Sequence, residues 1–205
     1  AVETLGAVRI IETDKTGTLT QNKINAVKVI TADGEEFEIE GDGYQPQGIF
    51  FDKNKKIVEA GRKPELLHLL KAGILASNAT IGINNNEILG DTTEGALLVA
   101  GLRANLNISE LKEGEKRIYE IPFSSVRKMM SVVVQIDGTS DYFLYAKGAP
   151  EVILPKCLAS TPGVEAGEAD ARRMAASGLR PLALAFKKVS KNEVKKALEE
   201  NILPE

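Results

Sequence analysis

The chain has 205 residues, 43% apolar and 27% charged, with 26 Lys and Arg against 29 Asp and Glu for a net charge of −3. This length suits one domain, or one and a fragment, with enough apolar residues to pack a core, which argues against disorder. The near-neutral balance argues against a polyanion binder built on basic excess. A single cysteine, Cys157, and a single histidine, His68, exclude a disulfide framework, a multi-thiolate metal site and a His-rich zinc centre. No apolar run approaches the roughly 18 residues of a membrane helix. Residues 1–9 also lack the basic-then-apolar pattern of a signal peptide. The composition predicts a soluble domain of a reducing compartment, and the two ends read as cut.

The first predicted strand is 7–13, rich in Val and Ile, running into a polar loop at 14–20. Residues 26–31 and 36–40 predict a hairpin across Ala32-Asp33-Gly34. Gly41 to Asn54 reads as a loop. Pro64 opens a helix whose stripe is Leu66, Leu67, Leu70, Ile74 and Leu75, with His68 one step off it. A second helix is expected over 92–104, capped by Asp91 or Thr92.

From Arg117 the period shortens, and 118–121, 130–136 and 142–146 read as strands, the last two joined through Asp137-Gly138. Helices at 149–157 and near 168–177 follow, the latter closed by Gly178. A strand at 182–186 and a charged helix at 191–201 end the chain. Hairpins interrupted by helices predict an α+β fold, a twisted antiparallel sheet flanked by helices.

Asp14-Lys15-Thr16-Gly17-Thr18-Leu19-Thr20 carries the most chemistry. A carboxylate at the carboxyl end of a strand can act as an exposed nucleophile. Lys15 can offset phosphoryl charge, and Gly17 allows close backbone approach. The plain alternative is an exposed Thr-rich turn. Four later segments could serve a ligand or simply be structural. Gly90 to Leu97 contains Glu94 and is otherwise a helix start. Phe123 to Ser131 contains Phe123, Ser125 and Lys128, otherwise a core aromatic and a solvated cation. Lys147-Gly148-Ala149-Pro150-Glu151 is otherwise a strand-to-helix turn, and Gly178 to Ala183 holds Arg180, otherwise an exposed arginine.

The seven-residue string, followed by these four segments in order, resembles the P-type ATPases, cation pumps that form an aspartyl-phosphate. The resemblance covers nearly the whole chain and is thinnest over 41–63 and the last fifteen or so residues. It departs just before the motif, where many members carry Cys-Ser and this chain has Glu12-Thr13. Heavy-metal pumps place a His-Pro pair in this region, whereas His68 is followed by Leu69, so the chain looks more like the calcium and sodium/potassium branch.

The resemblance implies two parts. Residues 1–25 would be the first strand and loop of a haloacid dehalogenase-like α/β phosphorylation domain, and 26–205 the nucleotide-binding domain. It implies ATP and Mg2+ as cofactors, with Asp14 as the phosphorylated nucleophile assisted by Lys15 and Thr16. Asp14 and Thr16 would contribute to an incomplete magnesium site. Glu94 would accept from the adenine amino group, and Phe123 would stack on the ring. Ser125, Lys128, Lys147, Gly148 and Arg180 would complete the pocket.

Related aspartate-nucleophile phosphatases carry a second Asp at the position of Thr16, whose loss would lengthen the life of an acyl phosphate. The implied partners are ATP and the remainder of a longer membrane pump, with no nucleic acid. The fragment itself would bind ATP weakly and not turn it over, because no downstream aspartates complete the charge around Asp14. A free-standing aspartate-nucleophile phosphatase and a non-catalytic adenine-nucleotide-binding module are the alternatives.

Overall fold

The structure is a computed structural model that describes residues 9–10, 12–82, 87–158, 160–161 and 163–200, with the backbone alone at 16, 198 and 200. Strand β1 (Lys28–Ile30) turns through Gly34, at φ 82°, into β2 (Glu36–Glu40), as the Asp-Gly signal predicts. Along β2 the order Glu-Phe-Glu-Ile-Glu buries Phe37 and Ile39 and leaves the glutamates on the other face. β3 (Ile49–Asp52) and β4 (Ile57–Val58) extend this antiparallel sheet in the order β1-β2-β3-β4.

Helix α1 (Pro64–Leu75) lies between two sheets. Its Leu66 and Leu70 join Phe37, Ile39 and Phe50 of the first sheet. Its Ala72 and Leu75 join Met130, Val132, Val134 and Tyr145 of a second. That second sheet is β7 (Glu115–Ser124), β8 (Met129–Ile136), β9 (Tyr142–Gly148) and β10 (Ala183–Val189), antiparallel in the order β10-β9-β8-β7. β8 is apolar on both faces because α1 covers one, while Val194 of α6 (Lys191–Glu200) packs with Val133 on the other. Helix α2 (Thr92–Arg103) packs beside α1, reached through a small ladder of β5 (Thr80–Ile81) and β6 (Ile88–Leu89). The fold is α+β and antiparallel, as expected, but with two four-stranded sheets where one was expected.

Other expectations are corrected. The stretch read as a loop over 41–54 contains β3, because Ile49-Phe50-Phe51 pairs with β2 and buries Phe50. Helix α3 (Ile108–Gly114) was not foreseen; Asn107 caps it by accepting from the Glu110 amide. The helix expected over 149–157 is α4 (Pro150–Ile153) followed by a 3-10 turn at Leu154–Lys156, since Pro155 has no amide hydrogen to continue the α ladder. Helix α5 (Val164–Ala176) starts earlier than expected, after Gly163 at φ 79°. A Cβ on Gly163 would stand 2.4 Å from the Ala32 carbonyl oxygen. Gly178 closes α5 in the left-handed conformation, as foreseen.

Of the strand expected at 7–13, residues 7, 8 and 11 lie outside the described residues. Arg9, Ile10, Glu12 and Thr13 are not in a strand, since no described strand pairs with them.

Leu66 is fully buried where α1 meets the first sheet. Leu66→Ala is expected to cost about 2–5 kcal/mol in a urea unfolding curve. A loss under about 1 kcal/mol would contradict this placement of α1.

Candidate functional site

The Asp14 loop is exposed. Lys15–Leu19 forms a single wide turn, closed by the Thr20 amide donating to the Lys15 carbonyl at 3.2 Å. Gly17 takes φ 82° with open space where a Cβ would stand, so the turn exposes its backbone to an approaching group. The Thr16 side chain lies outside the description. Among the described residues no group of three His, Cys, Asp or Glu could hold a metal ion.

Two of the later motifs, those of Glu94 and Lys147, meet just beyond the end of α1. Asp91 caps α2, accepting from the amides of Thr93 at 2.8 Å and Glu94 at 3.0 Å. That cap sets Glu94 in the first turn of α2, facing Lys147 near the end of β9. Lys147 Nζ donates to Glu94 Oε1 at 2.6 Å and to Ser77 Oγ at 3.2 Å. Glu94 Oε2 accepts from the amides of Asn78 at 2.7 Å and Ala79 at 2.8 Å. Three of the roughly four acceptor positions of the carboxylate are thus filled by the protein, leaving room for one further donor. Burial lowers the Lys147 pKa, and its hydrogen bond to Glu94 opposes that shift.

Phe123 is 57% exposed at the end of β7, an unusual place for a core aromatic. Ser125 is exposed in the turn that follows. Lys128 closes the turn at φ 53°, and its exposed ammonium reaches Glu151 at 3.1 Å. Glu151 is held below the usual carboxylate range by its own backbone amide and by Lys128. Gly148 was expected to help complete the pocket. In the structure a Cβ there would meet the Lys128 carbonyl oxygen at 2.5 Å, so the close approach belongs to β8. The Ala149 amide donates to that same carbonyl at 3.0 Å. Arg180 is exposed just ahead of β10, whose first residue, Ala183, pairs with Gly148. Phe123, Lys128, Lys147 and Arg180 therefore lie toward one end of the second sheet.

The sequence reading missed Ser77, Asn78, Arg117 and Glu120. Arg117 donates to the carbonyls of Leu75 at 2.6 Å and Ser77 at 2.9 Å, pairs with Glu120 at 2.7 Å and also contacts Asn78 Oδ1. Asn78 Nδ2 donates to Glu120 at 2.7 Å. An irregularity in the β7 register between Arg117 and Tyr119 lets Arg117 and Glu120 meet, where plain alternation would separate them. A cavity of about 460 Å³ lies elsewhere, between the first sheet and the end of α2, and includes none of the motif residues.

The model of the family described as P-type ATPase, cytoplasmic domain N, matches residues 65–204, more than half of the chain. The chain belongs to this family of P-type ATPases. A calcium-transporting ATPase of Bacillus subtilis is 36% identical over 94% of this chain and 23% of its own length. A calcium-transporting ATPase type 2C member 2 of Mus musculus is 36% identical over 90% of the chain and 20% of its own length. The cation-transporting ATPase pma1 of Synechocystis is 32% identical over 92% and 22%. The chain thus spans between 20% and 23% of the length of these curated P-type ATPases. No helix among the described residues is long and apolar enough to cross a membrane.

Glu94→Gln leaves the Lys147 charge buried without its partner and is expected to cost about 3–5 kcal/mol in chemical denaturation. Lys147→Met added to it should recover part of that loss, and a double variant no more stable than Glu94→Gln would overturn the pairing. The sign of the pH effect follows from the lowered Lys147 pKa. The unfolded chain binds more protons between that value and the ordinary lysine range, so stability rises with pH across that window. Glu94→Gln removes an interaction that raises the pKa and should extend the window toward neutral pH.

Proposed function

We propose that residues 26–205 form the ATP-binding domain of a cation pump and that residues 1–25 carry its phosphorylation loop. Phe123 offers an exposed π-face for adenine, and Glu94 keeps one acceptor position for the adenine amino group. Lys147 is already neutralised by Glu94. Attraction for the phosphates therefore falls chiefly to the exposed cations Lys128 and Arg180, with Ser125 on the same rim and Gly148 buried beneath it. The observation that carries the reading is the meeting of Glu94 and Lys147, 53 residues apart in sequence, at a buried 2.6 Å contact beneath the sheet end that bears Phe123.

In the longer protein an Asp14 carboxylate oxygen would attack the γ-phosphorus of ATP. A phosphorus–oxygen bond forms at Asp14, the bond to the β-phosphate oxygen breaks, and ADP leaves with that electron pair. Lys15 would offset the phosphoryl charge and Gly17 would admit it to the backbone. The Mg2+ site, to which Asp14 and Thr16 would contribute, is completed in this reading by the rest of the pump. This sets the expectation that the chain alone binds ATP weakly and does not hydrolyse it. Relatives named as calcium-transporting ATPases make calcium the first cation to test in the full-length protein.

Titration of ATP into the 15N-labelled chain should move amide signals of Glu94, Phe123, Lys128 and Lys147. Phe123→Ala should weaken binding roughly 5- to 150-fold, the worth of one base–aromatic stack. Unchanged affinity would sink the pocket. Asp14-dependent phosphate release by the chain alone would favour the free-standing phosphatase instead.

A further inference from the structure

A cavity of about 260 Å³ shares Ser77 and Asn78 with the Glu94–Lys147 network, and Lys112, Glu115 and Arg117 also line it. Its charges do not balance. Glu115 is taken by the Lys71 ammonium and by the Tyr145 hydroxyl at 3.1 Å. Glu120 is taken by Arg117, and Glu94 by Lys147. Lys112 remains: among the described residues it forms neither a hydrogen bond nor an ion pair, although it is half-buried. Burial lowers its pKa, Arg117 lowers it further, and Glu94 offsets only part of this.

The donors left over also point one way. Arg117 spends its two terminal nitrogens on Leu75, Ser77, Asn78 and Glu120, which leaves its Nε hydrogen. Asn78 has given one amide hydrogen to Glu120 and keeps a second. With the three hydrogens of the Lys112 ammonium, the walls offer donors and an unpaired positive charge, while the carboxylates are already engaged. The volume suits a small anion with a few waters, each occupying about 30 Å³.

We infer that this cavity binds a tetrahedral oxyanion of the phosphate class, held by Lys112 and Arg117. The site is separate from the exposed turn of Phe123 and Lys128 and stands whether or not that turn binds ATP. Its occupant would brace Arg117, which holds the carbonyls of Leu75 and Ser77, and so stiffen the turn whose amides hold Glu94.

The test is a titration of inorganic phosphate into the 15N-labelled chain without nucleotide, against sodium chloride at equal ionic strength. Saturable shifts at Ser77, Asn78, Lys112 and Arg117 are expected with phosphate and not with chloride. Lys112→Met should weaken them about tenfold or more, the loss of one charge-assisted contact. Lys112→Arg, which keeps the charge, should restore binding should the methionine variant prove misfolded. Absence of saturable shifts, shifts centred on residues 123–128, or equal binding by a folded Lys112→Met chain would overturn the inference.

Discussion

The carboxylate of Glu94 is the joint on which the site depends. Through Oε2 it fastens the first residues after α1, and through Oε1 it neutralises a lysine near the end of β9. A buried ammonium without such a partner would carry a desolvation cost of several kcal/mol. The pair therefore does more than decorate a pocket: it sets how the α1–β5 turn, the start of α2 and the second sheet meet. Asp91, which fixes the first turn of α2, aims that carboxylate.

This geometry also divides labour between the cations of the motif segments. Lys147 is inward and matched, whereas Lys128 and Arg180 are outward on the same sheet end. An exposed pair such as Lys128 with Glu151 contributes little stability, so it can be exchanged for a charged ligand at small cost. The buried pair cannot be exchanged so readily. A ligand entering this place would meet a rigid floor and a yielding rim.

Much of this was legible in the sequence. The α1 stripe, the Asp91 cap, the Asp-Gly turns and the apolar run of β8 are local signals, and each appears in the structure with its expected neighbours. The single-sheet expectation failed because which strands share a ladder is decided by α1 packing on both sides, and periodicity does not report it. Arg117 and Glu120 escaped notice because their meeting needs the β7 irregularity. The crowding at Gly148 by the Lys128 carbonyl is likewise set by strand register and not by local pattern. The family motifs named Glu94 and Lys147 but not the contact between them, since the contact is a property of three elements at once.

The position of α1 has a consequence for how the domain comes apart. A helix whose opposite sides complete two different cores cannot leave one without exposing the other. Fraying is thereby confined to the outer strands and termini, and opening of either sheet beyond its edge becomes a global event. The two sheets, separate in their hydrogen bonding, behave as a single cooperative unit.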